Sequence, residues 1–426
     1  MESETKILKQ SSDNDFFGIF EKIKIKKPIK SIIFVFMIYY LLLHKSEKNE
    51  IIQNRLEDIF PFSYNKTNEI YYAKLYFNIC EAGTLLGPER YSFPKNPRIS
   101  VIVPVYNRGN TLTRVLRSIQ NQSFKNIEII FVDDKSSDNS VELIESYQRK
   151  DKRIRLVKHE KNKGTFITRN DGALHARGEY ITFIDPDDVF YEGILKKANG
   201  AANMYDTDII RFDAFFRTNS MLVKYEYGNY FEKNKILYQP KIFKQTFYNY
   251  KGELQQHNLF LWGKIIKRKF FLEVLDNLTD YYKSQHWTLY EDNAMDFILL
   301  KFAKTYAYIN ENGYLYCFAS NSSYSDKNKK SKANKTVKDA FLLAEISFDY
   351  TDDDTYEKQM AVFELKRLIS EFKSSLEIVT EGFEYYYKVI NKFLNCKYIL
   401  ERHLAIIQEI KNIVIQAEKN AKERKY

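Results

Sequence analysis

Short apolar runs alternate with amphipathic stretches from Arg98 to about residue 216. Residues 99–105, 127–132, 154–157, 180–184 and 208–216 read as strands, the first with strong β-branched content. Apolar residues between them recur at helical spacing. Leu112, Val115, Leu116 and Ile119 share one face of a helix from Asn110 to about Gln122, and Val141, Leu143, Ile144 and Tyr147 mark the next. Asn110, and then Ser137 or Asp138, are residues that cap helix starts, whereas Gly164 opens a third helix and Gly178 ends it. A fourth runs over about 191–204. This alternation predicts an α/β fold, a mostly parallel sheet flanked by helices with right-handed crossovers.

In open sheets of this kind, ligands gather at the carboxyl ends of the strands. Polar residues stand at three such ends: Tyr106 and Asn107, then Asp133 and Asp134, then Asp185, Asp187 and Asp188. Pro186 has no backbone donor, so strand pairing should stop there and leave the three carboxylates on a turn. A turn or helix cap accounts for one member of the Asp133–Asp134 pair, but one carboxylate would suffice. The triplet could be a solvated acidic turn. Three such charges nevertheless repel one another unless a cation compensates, and oxygen ligands of this type suit Mg²⁺ or Mn²⁺ with substrate phosphates completing the shell. No Gly-x-Gly-x-x-Gly follows the first strand, and no Gly-x-x-x-x-Gly-Lys-Ser/Thr loop occurs, which points away from dehydrogenases and P-loop ATPases.

The ends of the chain differ in character. Lys22, Lys24, Lys26, Lys27 and Lys30 precede an almost wholly apolar stretch, 31–43. An all-round apolar helix has no polar face for solvent, so a membrane anchor over 31–45 is expected, with Lys30 snorkelling. The positive-inside rule then gives a type II arrangement: a cytosolic tail, 1–30, a stem, 46–97, and a catalytic domain, 98–320, facing the lumen of the Golgi or ER. A lysine-rich connector, 326–335, leads to a C-terminal region, 321–426, that is mostly helical by period, as in Met360, Val362, Phe363, Leu365 and Leu368.

Composition adds limits. The 426 residues are 44% hydrophobic and 29% charged, which describes a globular chain of one large domain or two modest ones. The net charge of +10 reflects lysine spread along the whole sequence, without a basic stripe interleaved with aromatics, so nucleic acid is not an expected partner. The cysteines, Cys80, Cys317 and Cys396, form no Cys-x-x-Cys pair and imply neither a zinc site nor a disulfide framework.

Four blocks, taken in order and spacing, resemble the family-two glycosyltransferases of GT-A fold. They are 99–108, with Ser-Val-Ile-Val-Pro-Val-Tyr-Asn inside it; 132–140, Val-Asp-Asp-Lys-Ser-Ser-Asp-Asn-Ser; Gly164 through Arg169-Asn170; and 178–188. A looser set, 261–266, Tyr290-Glu291-Asp292, and Tyr314-Leu315-Tyr316 leading to Ser320–Ser323, looks like the acceptor half of the same enzymes. The resemblance implies a nucleotide-sugar donor, UDP- or GDP-linked, and a carbohydrate, lipid or protein acceptor. It implies a donor site at Pro104, Tyr106, Asn107, Asp133, Asp134, Arg169, Asp185 and Asp187, with Asp134 accepting from the base and Asp187 or Asp188 holding Mg²⁺ or Mn²⁺. Asp292, beside Glu291, matches the position of the catalytic base, and one base with direct displacement implies inversion. Trp262 could stack a sugar but more simply fills core. Lys135 departs from the small residue or Gly usual after the Asp-Asp pair. The absence of a Gln-x-x-Arg-Trp block implies a non-processive enzyme. The rivals are an inactive sugar-binding scaffold on the same fold and a nucleotidyltransferase; the latter is expected to carry a Gly-rich loop after the first strand, where Asn107-Arg108-Gly109-Asn110 stands.

Overall fold

Strands that are apolar at every position send alternate side chains to opposite faces of a sheet, and both faces must then be covered. The computed structural model, which describes residues 66–85, 91–217, 222–225, 234–250, 253–256, 259–317 and 332–423, shows two such cores. Ile99, Val101, Val103, Ile127, Ile129 and Phe131 feed one, whereas Ile102, Ile130, Val132, Ile181 and Phe183 feed the other.

In chain order the elements begin with α1 (Lys66–Glu81), β1 (Ile99–Val105), α2 (Leu112–Gln120), β2 (Ile127–Asp133), α3 (Ser140–Lys150), β3 (Ile154–Lys158) and α4 (Thr165–His175). They continue with β4 (Tyr180–Phe183), β5 (Val189–Phe190), α5 (Ile194–Tyr205), β6 (Ile209–Arg217), β7 (Leu222–Tyr225), β8 (Ile236–Tyr238), α6 (Lys241–Thr246), β9 (Phe247–Tyr250) and β10 (Glu253–Gln256). Then follow β11 (Lys264–Lys267), α7 (Arg268–Asn277), α8 (Asp280–Lys283), α9 (Glu291–Phe302), β12 (Thr305–Cys317), α10 (Ala333–Asp349), α11 (Thr355–Leu376), α12 (Phe383–Leu394) and α13 (Glu401–Glu423).

The main sheet runs β3-β2-β1-β4-β11-β6-β12-β5, with β7 added to β6 and β8 to β12. Its first half is parallel as expected: β1 pairs in parallel with β2 and β4, and β2 with β3. The second half is mixed. β6 and β12 pair in parallel, but β11 lies antiparallel between β4 and β6, and β5 and β8 are antiparallel to β12, so the sheet combines both directions. A strand buried on both faces shows the same apolar run in either direction, which is why the pattern did not disclose the reversal. Pro104 is tolerated inside a central strand because β1–β4 pairing ends at Ile102–Phe183, before its missing donor would be needed.

The described residues fall within one compact unit. The expected tail, 1–30, and anchor, 31–45, lie outside the described residues. Among the described residues no helix is long and apolar enough to cross a membrane. The latter part of the expected stem folds onto the sheet unit. In α1, Ala73, Tyr76, Phe77 and Cys80 form a buried stripe at helical spacing, and the Tyr76 ring meets Tyr191 edge-on at 5.7 Å. The region after the connector is helical, with Met360, Val362 and Leu365 buried as their spacing predicts.

Candidate functional site: an acidic rim at the strand ends

Parallel register fixes where the polar tips fall. Val105 stands opposite Asp133, and Ile102 opposite Phe183, so the ends of β1, β2 and β4 open on one edge of the sheet. Tyr106 and Asn107, Asp133 and Asp134, and 185–188 therefore share a rim. Tyr106 is 49% exposed there. Asn107 takes a left-handed φ of 53°, and its Oδ1 accepts from the Ser137 backbone N–H at 2.8 Å, which ties the first strand end to the second.

The two adjacent aspartates do different work. Asp134 Oδ1 accepts from the Lys163 N–H at 2.7 Å and lies 2.8 Å from His159 Nδ1, while Oδ2 accepts from the Gly164 N–H at 2.9 Å. Its carboxylate is thus committed to the turn that starts α4. Gly164 has a φ of 88°, and a Cβ there would meet the Trp287 carbonyl at 2.9 Å. Asp133 is only 3% exposed; its Oδ2 accepts from the Ser136 N–H at 3.1 Å, and its Oδ1 has no partner. An orphaned buried acceptor is costly unless something donates to it. Lys135 follows with a φ of 66°, in the left-handed region that favours glycine.

The β4 triplet divides in the same way. Asp188 is buried; its Oδ2 accepts from the Tyr314 hydroxyl at 2.6 Å and its Oδ1 from the Cys317 N–H at 2.7 Å. Asp188 therefore pins β12 to the turn. Asp185 pairs with Arg169 at 2.5 Å. No other residue donates to the Asp187 carboxylate among the described residues, although its backbone carbonyl accepts from Arg114 at 2.5 Å. Burial, and then the negative charge of Asp185, push the Asp187 carboxyl above its ordinary value. An electron-rich, unpartnered carboxylate beside a second one suits a divalent cation.

Arg169 carries the rim across to the start of α9. Its guanidinium joins Asp185 to Glu291 at the start of α9, and its Nε is buried without a partner. Burial alone would lower its pKa, but Asp185 and Glu291 more than offset that and raise it. Asp292 is half-buried beside this cluster. Burial, with Arg169 partly opposing and Asp185 adding, raises its carboxyl above the usual range, and burial raises Glu291 as well. The turn before α9 is held from the C-terminal helices. Asp339 of α10 accepts from the Thr288 and Leu289 N–H groups at 3.3 and 3.2 Å, and Glu371 of α11 takes the Tyr290 hydroxyl.

The rim thus gathers the expected Tyr106, Asn107, Asp133, Asp185, Asp187, Arg169, Glu291 and Asp292, while Asp134 and Asp188 brace it and Pro104 lies buried within β1. The sequence pattern of "Glycosyl transferase family 2" matches residues 100–271. Glycosyltransferase GlyG of Streptococcus pneumoniae is 30% identical over 223 residues, 51% of this chain and 70% of that protein. The chain belongs to glycosyl transferase family 2. A GalNAc(5)-diNAcBac-PP-undecaprenol beta-1,3-glucosyltransferase of Campylobacter jejuni is 31% identical over 198 residues, 41% of this chain but only 62% of that protein. The structure of S. aureus TarS 1-349 in complex with UDP-GlcNAc resembles this fold with a TM-score of 0.56 at 18% identity, covering 76% of this chain and 90% of that one.

Several residues of this glycosyltransferase site escaped sequence reasoning. Trp287 is fully buried, packs 5.7 Å from the Phe166 ring, and its carbonyl accepts from the Phe166 N–H at 3.2 Å, wedging the α9 turn against α4. Arg114 lies off the apolar stripe of α2, and that departure was the one signal available for it. Trp262 is core, stacked on Phe260 at 4.3 Å and on Tyr314 at 4.8 Å.

Proposed function

We propose that this glycosyltransferase moves a sugar from a UDP- or GDP-linked donor to a hydroxyl on a glycan, lipid or protein, once per encounter and with inversion at the sugar carbon. The observation that carries this reading is the meeting, through Arg169, of the β4 carboxylates with the α9 turn that bears Asp292. Asp133 Oδ1 is the acceptor left open for a nucleobase N–H, and Tyr106 is exposed at the neighbouring strand end. The UDP-GlcNAc complex of TarS supports a nucleotide-sugar donor on a like fold.

Asp187, with Asp185 beside it, would hold Mg²⁺ or Mn²⁺. Such an ion offsets the charge that develops on a departing nucleoside diphosphate. Arg169 keeps Asp185 oriented and balances the charge of Glu291. Asp292 takes the proton from the acceptor hydroxyl as its oxygen bonds to the sugar carbon and the bond from that carbon to the diphosphate oxygen breaks. The raised Asp292 carboxyl is a stronger base than an ordinary aspartate, which suits this task.

The test is release of UDP or GDP from a panel of nucleotide sugars in the presence of Mn²⁺. Asp187→Ala should abolish turnover and Mn²⁺-dependent nucleotide binding with the fold intact by circular dichroism. Undiminished turnover in that variant would remove the metal from the reading; no turnover or binding of any donor by the wild type would remove the donor.

A further inference from the structure

The rim described above consists largely of groups that only accept hydrogen bonds. Asp185, Asp187 and Asp292 are carboxylates, and Arg169 is engaged with Asp185 and Glu291, its unpartnered Nε being buried. A sugar ring offers hydroxyls whose oxygens also need donors. Tyr316 is the side chain placed to supply one. It lies two residues beyond Tyr314 in β12, so the period of the strand puts both rings on the same face. Tyr314 reaches Asp188, and its hydroxyl oxygen accepts from the Asp185 N–H at 3.1 Å, while the Cys317 N–H reaches Asp188. Tyr316 is therefore bracketed by two contacts to the β4 turn. Its ring is fixed by Phe216 at 5.2 Å and Trp262 at 5.7 Å.

Unlike the fully buried Tyr314, Tyr316 is partly exposed, and its hydroxyl has no hydrogen-bond partner among the described residues. Burial, and then the charges of Asp188, Asp185, Asp187 and Asp292, push its phenol above the ordinary value, and a phenol is already protonated and a donor at neutral pH.

We infer that Tyr316 is a sugar-binding residue, its hydroxyl donating to the transferred sugar between the diphosphate end at Asp187 and the base at Asp292. This rests on the nucleotide-sugar reading above and adds to it the contact that distinguishes a sugar nucleotide from a bare nucleotide. Packing against Phe216 and Trp262 explains the ring but not the hydroxyl.

The test is calorimetry on the full chain with Mn²⁺, comparing wild type and Tyr316→Phe. The probes are UDP-GlcNAc, UDP-glucose, UDP-galactose and GDP-mannose, with UDP and GDP as controls. Phenylalanine keeps the ring contacts, so the melting temperature should not move. The Kd of the sugar nucleotide that binds wild type should weaken about tenfold, and that of its nucleoside diphosphate should stay within about twofold. Equal weakening of both, or of neither, overturns the assignment while leaving the donor reading in place. Wild type that binds none of the probes overturns both. Wild type that binds UDP or GDP but no sugar nucleotide overturns the sugar contact and leaves only nucleotide recognition standing.

Discussion

Asp133 and Asp134 are neighbours in sequence with opposite duties. Asp134 holds the turn into α4 through two backbone donors and His159, whereas Asp133 keeps one oxygen open. Asp134→Ala should therefore cost about 3 kcal/mol in denaturant unfolding, since it strands buried donors. Asp133→Ala should leave most of the stability and weaken UDP or GDP binding about tenfold in calorimetry. Asp292→Asn should lower kcat by about a hundredfold or more with little change in KM, because a general base acts in the transition state. The sign of the pH effect follows from the raised Asp292 carboxyl. A base works when ionised, so kcat/KM should fall as pH drops, with its midpoint above the ~3.9 of a free aspartate. The acidic residues themselves were legible in the sequence because each follows an apolar strand. Which one of each pair stays open was not, since that depends on the loop 159–164 for Asp134 and on Tyr314 and Cys317 for Asp188, donors distant in sequence.

Among the elements, α9 and its preceding turn depend on partners from the C-terminal helices. Asp339 is buried and receives two backbone N–H groups of 288–289 together with Lys335. Asp339→Ala should lower kcat more than it weakens UDP binding, because it loosens the turn bearing Asp292 and touches nothing on the β1–β4 rim. Stopped assays at saturating donor, beside calorimetry with UDP, separate the two effects. Sequence periodicity gave the helical character of 333–423 but not this role, since an inward Asp on an apolar helix looks the same whether it caps a neighbour or faces water. The thirteen residues of β12 were equally hidden, because Asn310, Glu311, Asn312 and Gly313 interrupt the apolar pattern where its pairing with β6 shifts register.

At the level of the whole molecule, the Tyr64–Tyr426 unit contains every residue assigned to the site. A chain beginning at residue 64 should fold, melt in one transition, and release nucleoside diphosphate at a rate within about twofold of the full chain. The full chain, by contrast, should remain in the pellet after carbonate extraction of membranes if 31–45 anchors it; release into the supernatant would sink that expectation. The two-sided sheet has a further consequence for how such an enzyme can diversify. A single inserted residue within β1, β2 or β4 would exchange the contents of both cores at once, since Val101 and Ile102 serve opposite sides. Novelty in what is transferred, and to what, is thereby steered into segments that join strands at the rim, where lengths can vary without reshuffling an interior.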